Sequence, residues 1–236
     1  MNLKTACSLF SGCGGDTLGM ENADIKVKIY SEIQKVFQET HEANFKECTL
    51  LGGDILKVKD DEIEKWANKL DIVFAGFPCQ SFSNAGKKDP NDPRGQLFKE
   101  FVRVVQIIKP KVLIGENVKG LLTRTTKNDE NVIDIIKEEF EKLNYSIVTK
   151  VYKLVECGVP QKRERLIILG IRNDLNITPV LPEFNFPRKG LLDIVEFSMK
   201  GAIKVDENMF EDIPTECIVT NMENTESEDA IIHPFL

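Results

Sequence analysis

The segment TACSLFSGCGG, residues 5–15, joins a strand-like apolar run to a loop in which three of the last four residues are glycine. A strand that runs directly into such a loop is typical of open α/β sheets that bind a nucleotide-like ligand. Gly12 and Gly14 would let the backbone approach a ligand closely, although tight turns use glycine as well. Glu32 follows 20 residues after Gly12, where such sheets place an acid that binds ribose hydroxyls; the alternative is a solvated carboxylate at a helix start.

The rest of the chain alternates between strand-like and helix-like segments, and this alternation indicates the fold class. Apolar runs typical of strands alternate with helical patterns, and Pro110 closes one of the helices. The predicted strands are residues 5–10, 26–31, 70–75 and 111–115, and the predicted helices are 33–44, 60–69, 97–108 and 132–143. We therefore predict an α/β fold, a Rossmann-like doubly wound and mostly parallel sheet. Residues 147–155 and 165–171 have no helix between them and predict an antiparallel hairpin at its end.

The predicted domain boundary lies where the alternation of strand and helix patterns ends. Residues 1–175 predict one domain, and residues 176–236 predict a tail that is weakly periodic. The last part of the tail, residues 201–236, holds nine acidic residues and one basic residue. Residues 1–200 therefore hold 30 basic and 29 acidic residues. The net charge of −7 therefore does not exclude a nucleic-acid partner for the near-neutral body.

Composition limits the location and the kind of site. No apolar stretch approaches the ~18 residues that a membrane helix needs, and the N-terminus has no secretory pattern. We therefore expect an intracellular protein without a membrane partner. Six cysteines without a C-x-x-C pair, together with two histidines, predict neither a metal site nor disulfides.

Polar residues follow several of the predicted strands, where the ligands of open α/β sheets bind. Asp54 follows one strand-like segment, and Cys79 follows Pro78 after the strand at 70–75. Cys79 has four possible roles: buried filler, metal ligand, half of a disulfide or nucleophile. Its polar neighbours argue against core filler. Glu116 comes after a further strand and is a candidate general acid, unless Asn117 simply caps a helix.

Two arginines stand between the predicted hairpin strands. Arg163 and Arg165 are two residues apart and point the same way if the segment is extended. That geometry suits a phosphate or a polar base edge. The alternative is a solvated surface turn.

These segments together resemble the cytosine-5 DNA methyltransferase family, over residues 5 to about 175. The matching motifs occur in the family's order: LFSGCGGDTLGME, the acid Glu32, GDI, GFPCQSFSNAG, DPRGQLF, PKVLIGENVKGLL and GVPQKRERLIILGIR. Cytosine C5 is a poor nucleophile until a covalent adduct breaks the aromaticity of the ring, so a thiolate and an acid suit the reaction. With this resemblance, the nucleophile becomes the preferred role of Cys79.

The resemblance implies a methyltransferase that uses S-adenosylmethionine, releases S-adenosylhomocysteine and flips a cytosine out of double-stranded DNA. It implies that Cys79 attacks cytosine C6, that Glu116 hydrogen-bonds or protonates N3, and that Arg165, with Arg163 beside it, holds the carbonyl group and a nearby phosphate. The implied cofactor contacts are Phe10, Ser11, Gly12, Cys13, Gly14, Gly15, Glu32, Ile33, Asp54, Ile55, Pro78 and Leu97. The implied substrate-positioning residues are Gln80, Ser83, Asn117, Val118 and Gln161.

Two departures from the family accompany the resemblance. The family commonly has an acid where this chain has Ser8, so we expect a different cofactor affinity. The variable target-recognition region and the final Gln-x-x-Gly-Asn segment are not found in residues 175–236. We therefore expect one subunit of a split enzyme with a second polypeptide, or a truncated form, in preference to a remnant. A non-catalytic cofactor- or DNA-binding accessory module on the same fold is the alternative function, and a nicotinamide-linked oxidoreductase is a third.

Overall fold

The computed structural model describes residues 2–78, 96–126 and 129–188, and these contain one seven-stranded sheet. The order of the strands across the sheet is β3-β2-β1-β4-β5-β7-β6. Their bounds are β1 Thr5–Leu9, β2 Lys26–Ser31, β3 Thr49–Gly52, β4 Ile72–Ala75, β5 Val112–Val118, β6 Tyr145–Lys153 and β7 Glu164–Arg172. The chain thus begins in the middle of the sheet, moves to one edge, and returns across β1 to build the other half.

The direction of the strands decides where a ligand can bind. Strands β1 to β5 pair in parallel, so their carboxyl ends lie at one edge of the sheet. Strand β7 is antiparallel to β5, with Val112 opposite Ile171 and Val118 opposite Arg165. The predicted α/β class, with a mostly parallel sheet that ends in antiparallel strands, is confirmed.

Five helices connect or cover the strands in the described residues: α1 Gly15–Asn22, α2 Lys35–Asn44, α3 Asp60–Glu64, α4 Gln96–Ile108 and α5 Val132–Lys142. Helix α2 begins two residues later than predicted, because the Glu32 side chain accepts a hydrogen bond from the Gln34 amide. Helix α3 is five residues shorter than predicted. The chain reverses beyond α3 at Asn68, which has a φ of 57° and donates its amide to the Ile108 carbonyl.

The core packs α4 and α5 against the sheet. Helix α4 carries an apolar stripe at three-four spacing, and its Phe101 packs edge-on against Phe140 of α5 at a ring distance of 5.0 Å. Phe77, directly after β4, contacts both Phe98 and Phe101. Buried aromatic rings of this size contribute much of the apolar area removed from water. They therefore anchor the segment that leads towards residue 79.

The chain divides into two compact units. The first comprises residues 1–151 and 165–182, and the second comprises residues 152–164 and 183–236. In the second unit a 3-10 turn over Leu154–Cys157 precedes Gly158, which has a φ of 80°. There the Phe186 amide donates to the Glu156 carbonyl at 3.0 Å. In the part of the chain that the structure describes, no helix is long and apolar enough to cross a membrane.

Candidate active site

A cavity of about 250 Å³ lies at the carboxyl ends of the parallel strands. Its lining residues come from the ends of several strands and from the start of α4, as the topology of an open sheet requires. They are Phe10, Ser31, Glu32, Ile33, Gly53, Asp54, Ile55, Gly76, Pro78 and Leu97. Seven of these ten are residues that the resemblance implies for cofactor contacts, and they come from five separate parts of the chain.

The glycine loop after β1 turns sharply beside this cavity. Phe10, Gly12 and Gly14 all have positive φ angles, of 59°, 56° and 94°. A positive φ is unusual for a phenylalanine and marks local backbone strain of the kind found at binding sites. The loop is tied to β2, because the Ser11 amide donates to the Ser31 carbonyl at 3.1 Å.

Glu32 is the main polar group of the cavity wall. Its carboxylate accepts one backbone hydrogen bond from Gly12 at 2.9 Å and another from Gln34 at 2.8 Å. The residue is only 8% exposed, so it is not a solvated carboxylate at a helix start. Because each carboxylate oxygen has a second lone pair, Glu32 can still accept hydrogen bonds from a ligand.

Asp54 and Ile55 form the wall beyond β3. The Asp54 side chain caps the 3-10 turn Ile55–Lys57 by accepting the Leu56 amide at 3.2 Å. Ile55 is 3% exposed. A fixed carboxylate therefore stands beside an apolar surface that could contact a ring.

A buried polar network under the glycine loop was not predicted from the sequence. The Asp16 carboxylate, on α1, accepts hydrogen bonds from the hydroxyl groups of Ser8 and, at 3.0 Å, Ser11. Burial raises the pKa of Asp16, although the two hydroxyl groups act in the opposite direction. Asp16 therefore brings a carboxylate next to Ser8, the position where the family commonly has an acid.

The same network continues to a buried histidine. His41 is fully buried, and its Nε2 lies 3.0 Å from the Thr17 hydroxyl oxygen. Its ring stacks on Tyr30 at a centroid distance of 3.8 Å. Burial lowers the pKa of His41. No local pattern around either residue signals this contact, which joins α1 to α2.

The segment after β4 is held by Asn117 of β5. Its amide Nδ2 donates to the Phe77 carbonyl at 2.9 Å, and its Oδ1 accepts the Val118 amide at 2.9 Å. Asn117 is 3% exposed and lies within a strand, so it does not cap a helix. It fixes the backbone next to Pro78, the last described residue before Cys79.

Glu116 and Arg165 form an ion pair near the cavity. Arg165 Nε lies 2.6 Å from Glu116 Oε1, and both side chains are mostly buried. A Cβ atom added to Gly76 would lie 3.8 Å from the other Glu116 oxygen and 3.9 Å from the Phe10 carbonyl. The carboxyl group of Glu116 therefore faces the strand end that leads to residue 79, beside a residue of the cavity wall.

The other residues implied by the resemblance lie in several places. Of the predicted glycine-loop contacts, only Phe10 lines the cavity; Ser11, Gly12, Cys13, Gly14 and Gly15 do not. Gln161 and Arg163 belong to the second unit. Cys79, Gln80 and Ser83 lie outside the described residues.

The sequence analysis missed three residues that line the cavity, Ser31, Gly53 and Gly76. Gly53 and Gly76 open the motifs GDI and GFPCQSFSNAG, and Ser31 precedes Glu32, so their positions at strand ends were the available signal. In the described ranges, no group of three or more His, Cys, Asp or Glu side chains could hold a metal ion.

Comparisons with known proteins agree with this architecture. The model of the C-5 cytosine-specific DNA methylase family matches residues 5–232. Type II methyltransferase M.FnuDI of Fusobacterium nucleatum is 39% identical over 226 residues, which cover 92% of this chain and 61% of that protein. Type II methyltransferase M.HhaI of Haemophilus parahaemolyticus is 40% identical over 181 residues, 76% of this chain and 51% of that protein.

A comparison with a solved structure shows that the fold is shared as well. A mutant of Spodoptera frugiperda DNMT2 superposes with a TM-score of 0.65 at 25% identity, over 84% of this chain and 61% of that one. The strand order, the glycine loop and the cavity at the strand ends define a doubly wound α/β ligand-binding domain. Within that class, the chain belongs to the C-5 cytosine-specific DNA methylase family. The family resemblance found in the sequence is confirmed, and the chain spans 61% or less of the curated relatives described above.

Proposed function

We propose that the chain is the catalytic part of a DNA (cytosine-5-)-methyltransferase, with S-adenosylmethionine as methyl donor and double-stranded DNA as substrate. The observation that carries this proposal is the cavity at the strand ends, which lies beside Glu116 and its partner Arg165. A DNA substrate places the protein inside the cell. A second polypeptide that contributes target recognition remains part of the proposal.

The cavity fits the adenosine part of the donor. Phe10, Ile33, Pro78 and Leu97 offer apolar surface for a flat ring, and Glu32 offers a fixed carboxylate for ribose hydroxyls. S-adenosylmethionine supplies an electrophilic methyl group when it is bound. The protein's part is to hold this ligand next to the strand end that leads to Cys79.

The remaining residues would act on the cytosine, which must leave the base stack to reach them. Cys79, outside the described residues, would add its thiolate to C6 of the ring. Glu116 would hydrogen-bond or protonate N3, so that C5 becomes nucleophilic. Arg165 orients the Glu116 carboxyl group through their ion pair. After methylation a base such as water would take the C5 proton, the C6–S bond would break to release the Cys79 thiolate, and N3 would return any proton to Glu116, which restores the aromatic ring.

Trapping on duplex DNA that contains 5-fluorocytosine tests the proposal, because fluorine at C5 prevents release of the thiolate. We expect an adduct that survives denaturing electrophoresis and that requires S-adenosylmethionine. Cys79→Ser should abolish it, whereas Cys157→Ser, which removes a cysteine thiol outside the proposed site, should not. Glu116→Gln should slow methyl transfer about 100-fold or more.

The alternative function is a non-catalytic accessory module that binds the cofactor or DNA. Cofactor binding and adduct formation, measured on the same chain, distinguish the two functions. Calorimetric titration with S-adenosylmethionine, with NAD as control, measures cofactor binding separately from chemistry. Binding of the donor without an adduct on DNA, with the second polypeptide supplied, would favour the accessory module. Binding of NAD in place of the donor would contradict the cofactor assignment and favour the oxidoreductase.

A further inference from the structure

Arg103, in the middle of α4, connects that helix to the segment after β3. Its guanidinium Nη2 donates to the Ile55 carbonyl at 3.0 Å, and its Nε donates to the Glu100 carboxylate at 2.8 Å. A third contact is an ion pair with Asp60 at 2.5 Å. One side chain therefore joins a backbone carbonyl, its own helix and the start of α3.

The two elements that Arg103 joins both contribute residues to the cavity lining. Ile55 and Asp54 belong to the turn after β3, and Leu97 belongs to α4. Arg103 itself does not line the cavity. Because it holds the Ile55 carbonyl from the helix that carries Leu97, it limits how far these two parts can separate.

Among the described residues, the other hydrogen bonds of the Ile55 turn are local. The Lys57 amide donates to the Asp54 carbonyl at 2.9 Å, the Leu56 amide donates to the Asp54 carboxylate, and the Val58 amide donates to the Ile55 carbonyl at 3.3 Å. These bonds shape the turn without fixing its distance from α4. The hydrogen bond from Arg103 spans 48 residues of sequence and adds a directional long-range restraint to the burial of the Ile55 side chain.

We propose that Arg103 is a positioning residue for the cavity. It holds the Asp54–Ile55 wall at the distance from Leu97 that an adenosyl ligand requires. This inference rests on the proposed function, because it assumes that the cavity binds the methyl donor. Arginine suits the role, since its planar fork offers five donors and reaches three acceptors at once. A lysine would keep the charge but could not reproduce this geometry.

Arg172 is a matched control for Arg103. It pairs with Asp174 at 2.7 Å and donates to the Lys109 carbonyl, so it too joins a carboxylate and a backbone carbonyl. The exposure of the two arginine side chains is nearly equal, 24% for Arg103 and 25% for Arg172. Arg172 ends β7 beyond the Ile171–Val112 pair, at the amino end of β5 and therefore away from the cavity.

The experiment measures two quantities in wild type, Arg103→Met, Arg103→Lys and Arg172→Met. The first is the dissociation constant of S-adenosylhomocysteine by calorimetry. The second is amide hydrogen exchange of residues 53–58 without ligand, and thermal unfolding reports the overall stability of each variant. We expect Arg103→Met to weaken binding roughly tenfold or more and to accelerate exchange in that segment. Arg103→Lys should lie between wild type and Arg103→Met, and Arg172→Met should change neither quantity.

The outcomes separate this inference from the proposed function. Wild-type affinity and wild-type exchange in Arg103→Met would overturn the positioning role. Equal loss of affinity in Arg103→Met and Arg172→Met would also overturn it, because the effect would then reflect general destabilisation. If wild type does not bind S-adenosylhomocysteine, the cofactor assignment fails. Faster exchange in Arg103→Met alone would then still support a restraint on the Ile55 turn.

Discussion

The glycine loop offers a graded test of the packing beneath it, through alanine at Gly14, Gly12 and Gly15. Gly14 has a φ of 94°, and an added Cβ would lie 2.4 Å from a ring carbon of Phe45 and 2.8 Å from one of His41. Gly12 has a φ of 56° with nothing within 4 Å of the added atom, and Gly15 has the same open space without a positive φ. The three positions separate backbone strain from steric overlap.

The expected free energies follow from these differences. A left-handed backbone costs an alanine roughly 1–2 kcal/mol, which should be the full loss in Gly12→Ala. Gly14→Ala should lose about 1–3 kcal/mol more, because overpacking adds to the strain. The overlap is hard to relieve, since the His41 ring stacks on Tyr30 and makes a tilted contact with Phe45 at a centroid distance of 4.9 Å. Gly15→Ala should be near neutral.

Thermal unfolding of the ligand-free protein measures this series, and each kcal/mol corresponds to about 2–4 °C for a domain of this size. We expect the melting temperature to fall in the order Gly15→Ala, Gly12→Ala, Gly14→Ala. Equal losses for Gly14→Ala and Gly12→Ala would refute the reasoning, because they would mean that the aromatic stack moves aside without cost. A clear loss in Gly15→Ala would show that the space beside α1 is not open.

Two further predictions concern the buried polar groups near the site. Burial lowers the pKa of His41, and its Nδ1 is buried without a hydrogen-bond partner among the described residues, so the folded state disfavours a second proton. The resulting stability is fully present above the unfolded value of 6.5 and is lost as the pH falls from there through the lower pKa of the folded state. The melting temperature of wild type should therefore fall further than that of His41→Phe between about pH 7.5 and 5.5. A parallel decline in both proteins would contradict this. Asn117→Ala should leave the Phe77 carbonyl buried and unpaired, which lowers the free energy of unfolding by about 1–3 kcal/mol in urea titrations; an unchanged midpoint would show that the carbonyl finds another donor.

The sequence predicted most of the elements, because helices and strands depend on local periodicity and on turn residues. The strand at 26–31 and the helix that ends before Pro110 were placed within a residue. The boundaries of α2 and α3 were less accurate. They are set by contacts of Glu32 and Asn68 with the rest of the fold, and these contacts are not encoded in periodicity.

The cavity wall could be anticipated from strand ends. Glu32 directly follows a predicted strand, Asp54 follows a strand-like segment, and Pro78 comes three residues after the strand at 70–75. Parallel strands bring their carboxyl ends to the same edge of a sheet. The order of residues along the chain therefore determined which positions face the cavity. It also placed Glu116 near them, after the predicted strand at 111–115; the structure extends that strand, β5, to Val118, so Glu116 lies within it.

The side-chain contacts that hold the cavity wall in place could be identified only from the tertiary structure. Ser8 with Asp16, Thr17 with His41, and Arg103 with Ile55 are all pairs that no motif or period links. Their distances depend on how α1, α2 and α4 pack against the sheet. A sequence determines by itself the features that neighbouring residues control, such as a strand, a tight turn or a strand end. Which side chain satisfies a buried donor or acceptor many residues away depends on the packing of the whole fold.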